Sequence, residues 1–161
     1  MQKEVSVEKV RSDAEELFRS GDFFCSEAIM CAIKNNFAME MPDEFIAMAS
    51  GFPVGIGKSK CVCGAVSGGV MALGYFFGRT KGGDPKVHKT LALANELQQS
   101  FKDNHKHLCC HLLTKGMDMG AGEHKPQCVS FTGEIAEKLA TIVVRELALT
   151  NLDLQKEEQH G

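Results

Sequence analysis

The sequence predicts an all-α fold, a single-domain antiparallel bundle of about six to seven helices. Apolar residues recur at three- and four-residue steps over most of the chain, and no segment of five or more residues alternates strictly, as strands do. Glycine, proline and asparagine separate these segments at short intervals. At 161 residues the chain lies within the range of roughly 100–200 residues for one domain. Helices joined by short loops pack as antiparallel neighbours.

The first two helices have recognisable starts and ends. Ser6 is a suitable N-cap for a first amphipathic helix, and Gly21 ends it. We expect Asp22 to cap a second helix that ends near Asn36. Its apolar stripe includes Cys25, which we therefore expect to face inward close to the helix start.

The next two helices are a short one and a glycine-rich one. Pro42 is typical of a helical first turn and opens a third helix that Gly51 closes. A flexible loop, 51–59, then leads to a fourth helix over 63–77. Glycine costs up to about 1 kcal/mol in a helix interior, so these glycines need a packing or functional reason. They form two pairs spaced four apart, Gly64 with Gly68 and Gly74 with Gly78, which predicts a bare face that another backbone or a cofactor can approach.

The second half of the chain contains one long helix, one short helix and a final long helix. The fifth helix is predicted from Asp84 to about His105, and one or two helical turns follow over 109–113. Residues 116–122 are expected to be a loop, and the last helix is predicted over 129–149. The inward positions predicted for the fifth helix are Val87, Leu91, Ala94, Leu97 and Phe101. We assign 1–150 to one helical domain and 151–161 to a polar C-terminal tail.

Composition and charge exclude several classes of function. A formal net charge of -3 gives no indication of a nucleic-acid partner. The polar segment 1–5 does not resemble a secretion signal, which predicts a cytoplasmic protein with reduced thiols. The uncharged segment 62–78 is too short and too rich in glycine to span a membrane, so no membrane partner is expected. The glycine face would also allow packing against a second copy, so a homodimer is an alternative.

The cysteines are the residues that carry chemistry in this sequence. There are seven, an excess that points to metal, cluster or thiol chemistry in a reducing compartment. No two of them have the Cys-x-x-Cys spacing, so any redox site must combine distant cysteines. They fall into four regions: Cys25 and Cys31, Cys61 and Cys63, Cys109 and Cys110, and Cys128. Each region lies at or near the start of a predicted helix, where N–H groups and the helix dipole stabilise a thiolate.

Histidines provide a second group of candidate ligands. His105, His107 and His111 flank Cys109 and Cys110, and histidine with cysteine suits a transition metal. His111 is favoured because helical spacing places it beside the cysteines.

Four motifs give the sequence a family resemblance over about residues 10–145. They are FCSEAI at 24–29, SGFPVGIG at 50–57 with CGAVSGGVMALG at 63–74, CCHLL at 109–113, and the lone Cys128. Together they resemble the C-GCAxxG-C-C family of redox-active proteins. The resemblance implies a helical domain related to the cysteine-bearing domain of split-Soret cytochromes, in which such cysteines hold an iron–sulfur cluster.

The resemblance also implies a set of site residues. The matching positions are Cys25, Cys63, Cys109 and Cys128, with Cys61 and Cys110 as possible substitutes for their neighbours. Four thiolates suit an iron–sulfur cluster or a zinc ion. Among these a [2Fe–2S] cluster is favoured over [4Fe–4S], and zinc or no metal at all are the alternatives.

We therefore expect an iron–sulfur protein in electron transfer or redox sensing, working with a redox partner protein. The alternatives are a metal-free thiol–disulfide oxidoreductase and a zinc-stabilised binding domain. No acid–base pair or substrate pocket can be argued from the sequence, so enzymatic activity is left open. Cys31 lies outside the matched pattern, so replacing it should leave a cofactor in place, whereas replacing Cys63 should remove it.

Overall fold

The predicted all-α class is confirmed by a computed structural model, which describes residues 1–155. Within these residues the regular structure includes seven α-helices, one short 3-10 helix at Ala49–Gly51 and two short strands, and residues 152–155 are also helical. The helices are α1 (Val7–Arg19), α2 (Cys25–Phe37), α3 (Glu44–Met48), α4 (Gly64–Phe77), α5 (Val87–His105), α6 (Cys110–Leu113) and α7 (Lys125–Glu146). Most of the predicted polar tail, 156–161, lies outside the described residues.

The start of α1 agrees with the sequence, and the start of α2 does not. The hydroxyl of Ser6 accepts a hydrogen bond from the backbone N–H of Lys9 at 3.0 Å, as expected of an N-cap. Asp22, in contrast, accepts a hydrogen bond from the Ser20 hydroxyl at 2.9 Å and does not cap α2. The N-cap of α2 is instead Phe24, two residues later, whose N–H donates to the Glu27 carboxylate at 2.9 Å. Cys25 is therefore the first residue of α2.

The final helix begins and ends earlier than predicted. α7 starts at Lys125 rather than at position 129, and Pro126 lies in its first turn, where a missing N–H costs nothing. The apolar pattern misses this turn because its residues are polar. As a consequence Cys128 lies at the beginning of the helix instead of in the loop before it.

α7 is the central helix of the packing and contacts α1, α2, α4 and α5. The largest buried side chains come from these helices and include Phe37, Ile29, Leu73, Phe101 and Leu139. One predicted core position is wrong: Leu91 is 60% exposed, and Leu93 is buried in its place. Both leucines fit a helical repeat, and only the direction from which α4 and α7 approach α5 decides between them.

The glycines of α4 and of its C-terminal end differ in how closely other atoms approach them. A Cβ atom on Gly68 would lie 2.7 Å from the Cα atom of Ser26, so α2 and α4 meet at a distance that only glycine permits. The predicted close approach is thus confirmed for Gly64 and Gly68. It is wrong for Gly74, which has no neighbouring atom within 4 Å. A Cβ atom on Gly78 would lie 2.3 Å from the carbonyl oxygen of Gly74, at the end of the same helix.

Two strands that the sequence did not predict join the ends of the described chain. β1 (Glu4–Val5) pairs in parallel with β2 (Thr150–Asn151). Strands of two residues are too short to produce an alternating pattern. None of the described helices has the length and apolarity that a membrane crossing requires.

Candidate functional site: a cavity with four thiols

A cavity of about 230 Å³ lies at one end of the helices and contains four cysteines in its wall. The rest of the lining is mainly apolar, with the rings of Phe18, Phe23 and Phe131 among its members. The four thiols belong to Cys25, Cys63, Cys110 and Cys128. We call this space the four-thiol cavity. Each comes from a different helix start, so the site is assembled from segments that are far apart in the sequence.

The helix starts explain how the four thiols meet. Cys25 and Cys110 are the first residues of α2 and α6. Cys63 immediately precedes α4, and Cys128 lies in the first turns of α7. The predicted position of the cysteine regions at or near helix starts is therefore found in the structure.

Cys25 reaches the cavity because its neighbour across the helix packing is a glycine. A Cβ atom on Gly64 would lie 2.6 Å from the sulfur of Cys25 and 3.1 Å from the Cα atom of Pro53. Any larger residue would push this sulfur away. The next residue of α2 anchors the helix, since the buried Ser26 hydroxyl donates to the carbonyl of Ala49 at 2.9 Å.

Cys63 is held by its backbone and by the first turn of α4. Its N–H donates to the carbonyl of Leu108 at 2.7 Å, which ties the start of α4 to the segment before α6. The backbone N–H groups of Ala65 and Val66 hydrogen-bond the sulfur and favour its thiolate form. These are free donors of a helix N-terminus.

Burial nevertheless favours the protonated form of the cavity thiols in the metal-free protein. Desolvation raises the pKa of Cys25 far above its usual range, and repulsion from Cys63 and Cys128 adds to the effect. Desolvation, with repulsion from Cys63 and Cys110, raises the pKa of Cys128 to about 12. The pKa values of Cys63 and Cys110 are also raised, first by burial. The helix N–H groups favour the thiolate of Cys63, as expected at a helix start, but burial has the larger effect on its pKa.

The remaining cysteines lie outside the cavity lining. Cys61 is exposed and Cys109 is half-buried, and their thiols hydrogen-bond each other; we call these two the surface pair. The hydrogen bond from Cys61 lowers the pKa of Cys109, and the same bond raises the pKa of Cys61. Cys31 stands apart on α2, where its sulfur accepts a hydrogen bond from the Asn35 amide at 3.7 Å.

The structure therefore brings together three of the four cysteines named from the sequence. Cys25, Cys63 and Cys128 line one cavity, and the fourth thiol there is Cys110, the named substitute, instead of Cys109. The motif does not distinguish adjacent cysteines, whereas the turn into α6 directs only one of them into the cavity. Their role as ligands stays a prediction.

The predicted histidine cluster does not reach the cavity. His107 and His111 are exposed. His105 contacts the Glu134 carboxylate at 2.6 Å and packs between Phe101 and Phe131, which indicates a structural role. None of the three lines the cavity.

His124 is a cavity residue that the sequence analysis missed. It precedes α7 and lines the cavity, and its buried Nδ1 atom has no hydrogen-bond partner among the described residues. A buried polar atom without a partner is costly, so it marks a place where another group is expected. The available signal was its spacing, four residues before Cys128, which puts both residues on one helix face once α7 begins at Lys125.

The thiols surround a space and do not converge on one point. In the described part of the chain, no three histidine, cysteine, aspartate or glutamate side chains are grouped as a single metal ion requires. An iron–sulfur cluster takes cysteine thiolates as ligands, and four cysteines line this cavity. The four thiols and the unpartnered Nδ1 of His124 are donors of the kind that such a cluster binds.

Fold and site together define a cysteine-rich, all-α protein with a buried thiol site. The family described as "Putative redox-active protein (C_GCAxxG_C_C)" matches residues 23–142, and the chain belongs to this family. The matched range begins just before Cys25 and includes all four cavity thiols. No curated protein and no solved structure matches the chain.

Proposed function

We propose that the four-thiol cavity holds an iron–sulfur cluster and that the protein transfers electrons or senses redox state through it. Cys25, Cys63, Cys110 and Cys128 would be the ligands. When bound, such a cluster supplies one-electron redox chemistry whose potential depends on burial and on hydrogen bonds to sulfur. The observation that carries the proposal is the meeting of four thiols from four helix starts in one apolar cavity.

The electrostatics of the cavity support this assignment. Thiols with raised pKa values are poor nucleophiles, because the thiolate is the reactive form. Free dithiol chemistry at these four positions is therefore disfavoured at neutral pH. Metal ions bind thiolates and displace the protons, and their positive charge offsets the repulsion that Cys25 experiences from Cys63 and Cys128.

The apolar walls and His124 would tune the site. Phe18, Phe23 and Phe131 limit the access of water, which affects the potential of a buried cluster. The unpartnered Nδ1 of His124 is available to hydrogen-bond a sulfur or to act as an alternative ligand. The N–H groups that hydrogen-bond the Cys63 sulfur would remain in place as donors to the ligand.

The test is a metal analysis of the full chain purified without oxygen. We expect a brown protein with matched iron and acid-labile sulfide and without stoichiometric zinc. Cys63→Ser and Cys110→Ser should lose the iron. The matched controls Cys31→Ser and Cys109→Ser should keep it, because these thiols lie outside the cavity lining.

Two results would contradict the proposal. A colourless protein that contains no iron after reconstitution with iron and sulfide would exclude the cluster. Equal iron loss in the Cys109 and Cys110 variants would show that the cavity thiols are not the specific ligands.

A further inference from the structure

A second redox site is formed outside the cavity by the two thiols of the surface pair. We infer that Cys61 and Cys109 form a reversible thiol–disulfide couple that reacts with low-molecular-weight disulfides, independently of any cluster. Cys61 is exposed, Cys109 is half-buried, and neither thiol lines the cavity.

The backbone holds these two cysteines side by side. The N–H of His111 donates to the carbonyl of Lys60 at 2.9 Å, and the N–H of Cys63 donates to the carbonyl of Leu108 at 2.7 Å. These two hydrogen bonds bracket the pair, since one cysteine lies between 60 and 63 and the other between 108 and 111. A disulfide requires such proximity of its two backbones.

The two side chains also interact. The interaction of the Cys61 thiol with the Cys109 sulfur shifts the pKa of both groups, and Cys109 Sγ donates to the carbonyl of Lys60, the residue before Cys61, at 3.1 Å. A disulfide would therefore join two segments that already lie side by side.

The loop before Cys61 is held in place by backbone hydrogen bonds. The N–H of Lys60 donates to the carbonyl of Val54 at 2.9 Å, and the N–H of Gly57 donates to the carbonyl of Gly51 at 2.9 Å. Gly55 has φ +64°, and a Cβ atom there would lie 2.2 Å from the backbone nitrogen of Cys61. The segment 51–60 is thus held by its own backbone hydrogen bonds and packs closely against the backbone of Cys61.

The reaction is an exchange of two thiols for one disulfide. One thiolate of the pair attacks a sulfur of the external disulfide, forms a mixed disulfide and releases the first external thiolate. The second protein thiol loses its proton, attacks the protein sulfur of the mixed disulfide and releases the second external thiolate. The two protons lost by the protein are taken up by the two released thiolates, so the external disulfide is reduced and the pair is oxidised.

The experiment equilibrates the reduced full chain in glutathione buffers of increasing disulfide fraction, followed by acid quenching, alkylation and peptide mapping. We expect an intramolecular disulfide between Cys61 and Cys109 to form before any cavity thiol is oxidised, and to be reversed by reduced glutathione. Cys61→Ser and Cys109→Ser should lose this disulfide and carry glutathione on the remaining partner. Cys31→Ser should form it to the same extent as the unchanged protein.

Three results would overturn the inference. They are a pair that stays reduced while Cys31 is modified, a disulfide that maps to other cysteines, and a disulfide between two molecules. Circular dichroism of the serine variants, and of alanine variants at the same two positions, separates loss of the disulfide from loss of folding. Iron content is measured in parallel, so that failure of the cluster proposal, seen as a metal-free protein, is distinguishable from failure of the surface pair.

Discussion

The four-thiol cavity and the surface pair use cysteines that are neighbours in the sequence but differ in access to solvent. Cys109 is the residue before α6, and its thiol interacts with that of Cys61, whereas Cys110 is the first residue of the helix and lines the cavity. Burial raises the pKa values of the cavity thiols, and a hydrogen bond lowers that of Cys109. Two sites of different chemistry can thus arise from adjacent residues, because the turn into a helix directs successive side chains to different sides.

The largest expected effect is a difference in alkylation rate. With its pKa raised to about 12 from 9.0, Cys128 has about 1,000-fold less thiolate at neutral pH than an ordinary cysteine. In metal-free protein, Cys109 should therefore react with iodoacetamide about three orders of magnitude faster than Cys128. Timed alkylation with peptide mapping measures both rates, and similar rates would remove the contrast between the two regions.

A second effect is a loss of stability in alkaline solution. In the unfolded chain the Cys128 thiol ionises near its ordinary pKa of 9.0, whereas in the folded protein it stays protonated up to about 12. The folded state therefore binds more protons, and metal-free protein should lose stability as the pH rises between these values. The free energy of unfolding, measured with urea at several pH values, should fall with pH in the unchanged protein. In Cys128→Ser this slope should be shallower by the equivalent of about one proton per molecule. Identical slopes would mean that this thiol is not buried in solution.

The smallest effect concerns the glycines that let α2 approach α4 and so bring Cys25 to the cavity. Gly68→Ala places a methyl group 2.7 Å from the Cα atom of Ser26, and the overpacking should destabilise the protein by about 1–3 kcal/mol, less the helix gain of up to about 1 kcal/mol. The matched control is Gly74→Ala, which meets no atom within 4 Å and should stabilise by up to about 1 kcal/mol. Thermal unfolding of both variants is the measurement. Equal stabilisation would show that the close approach does not constrain the cavity end of the helices.

Much of the fold was predictable because helix starts and apolar repeats are local features. Ser6 and Gly21 marked the two ends of α1 correctly, since capping depends only on nearby residues, whereas Pro42 lies just before the N-cap of α3 instead of in its first turn. Two errors had different causes. Asp22 accepts a hydrogen bond from the nearby Ser20 instead of capping α2, which is a local competition. Leu91 is exposed because α4 and α7 approach α5 from another side, which only the tertiary structure decides.

The candidate site was predictable in composition and less so in membership. Cys25, Cys63 and Cys128 were named from the sequence, and all three line the cavity. His124 was missed because its relation to Cys128 becomes visible only when the start of α7 is known.

The amino-acid sequence by itself determined the all-α class, the positions of most helices and the concentration of chemistry in cysteines near helix starts. These properties follow from interactions between residues a few positions apart. Only the tertiary structure decided that Cys110 enters the cavity while Cys109 meets Cys61 at the surface. The physical reason is that solvent access and distance between thiols depend on how α2, α4, α6 and α7 are placed in space, which short-range patterns do not encode.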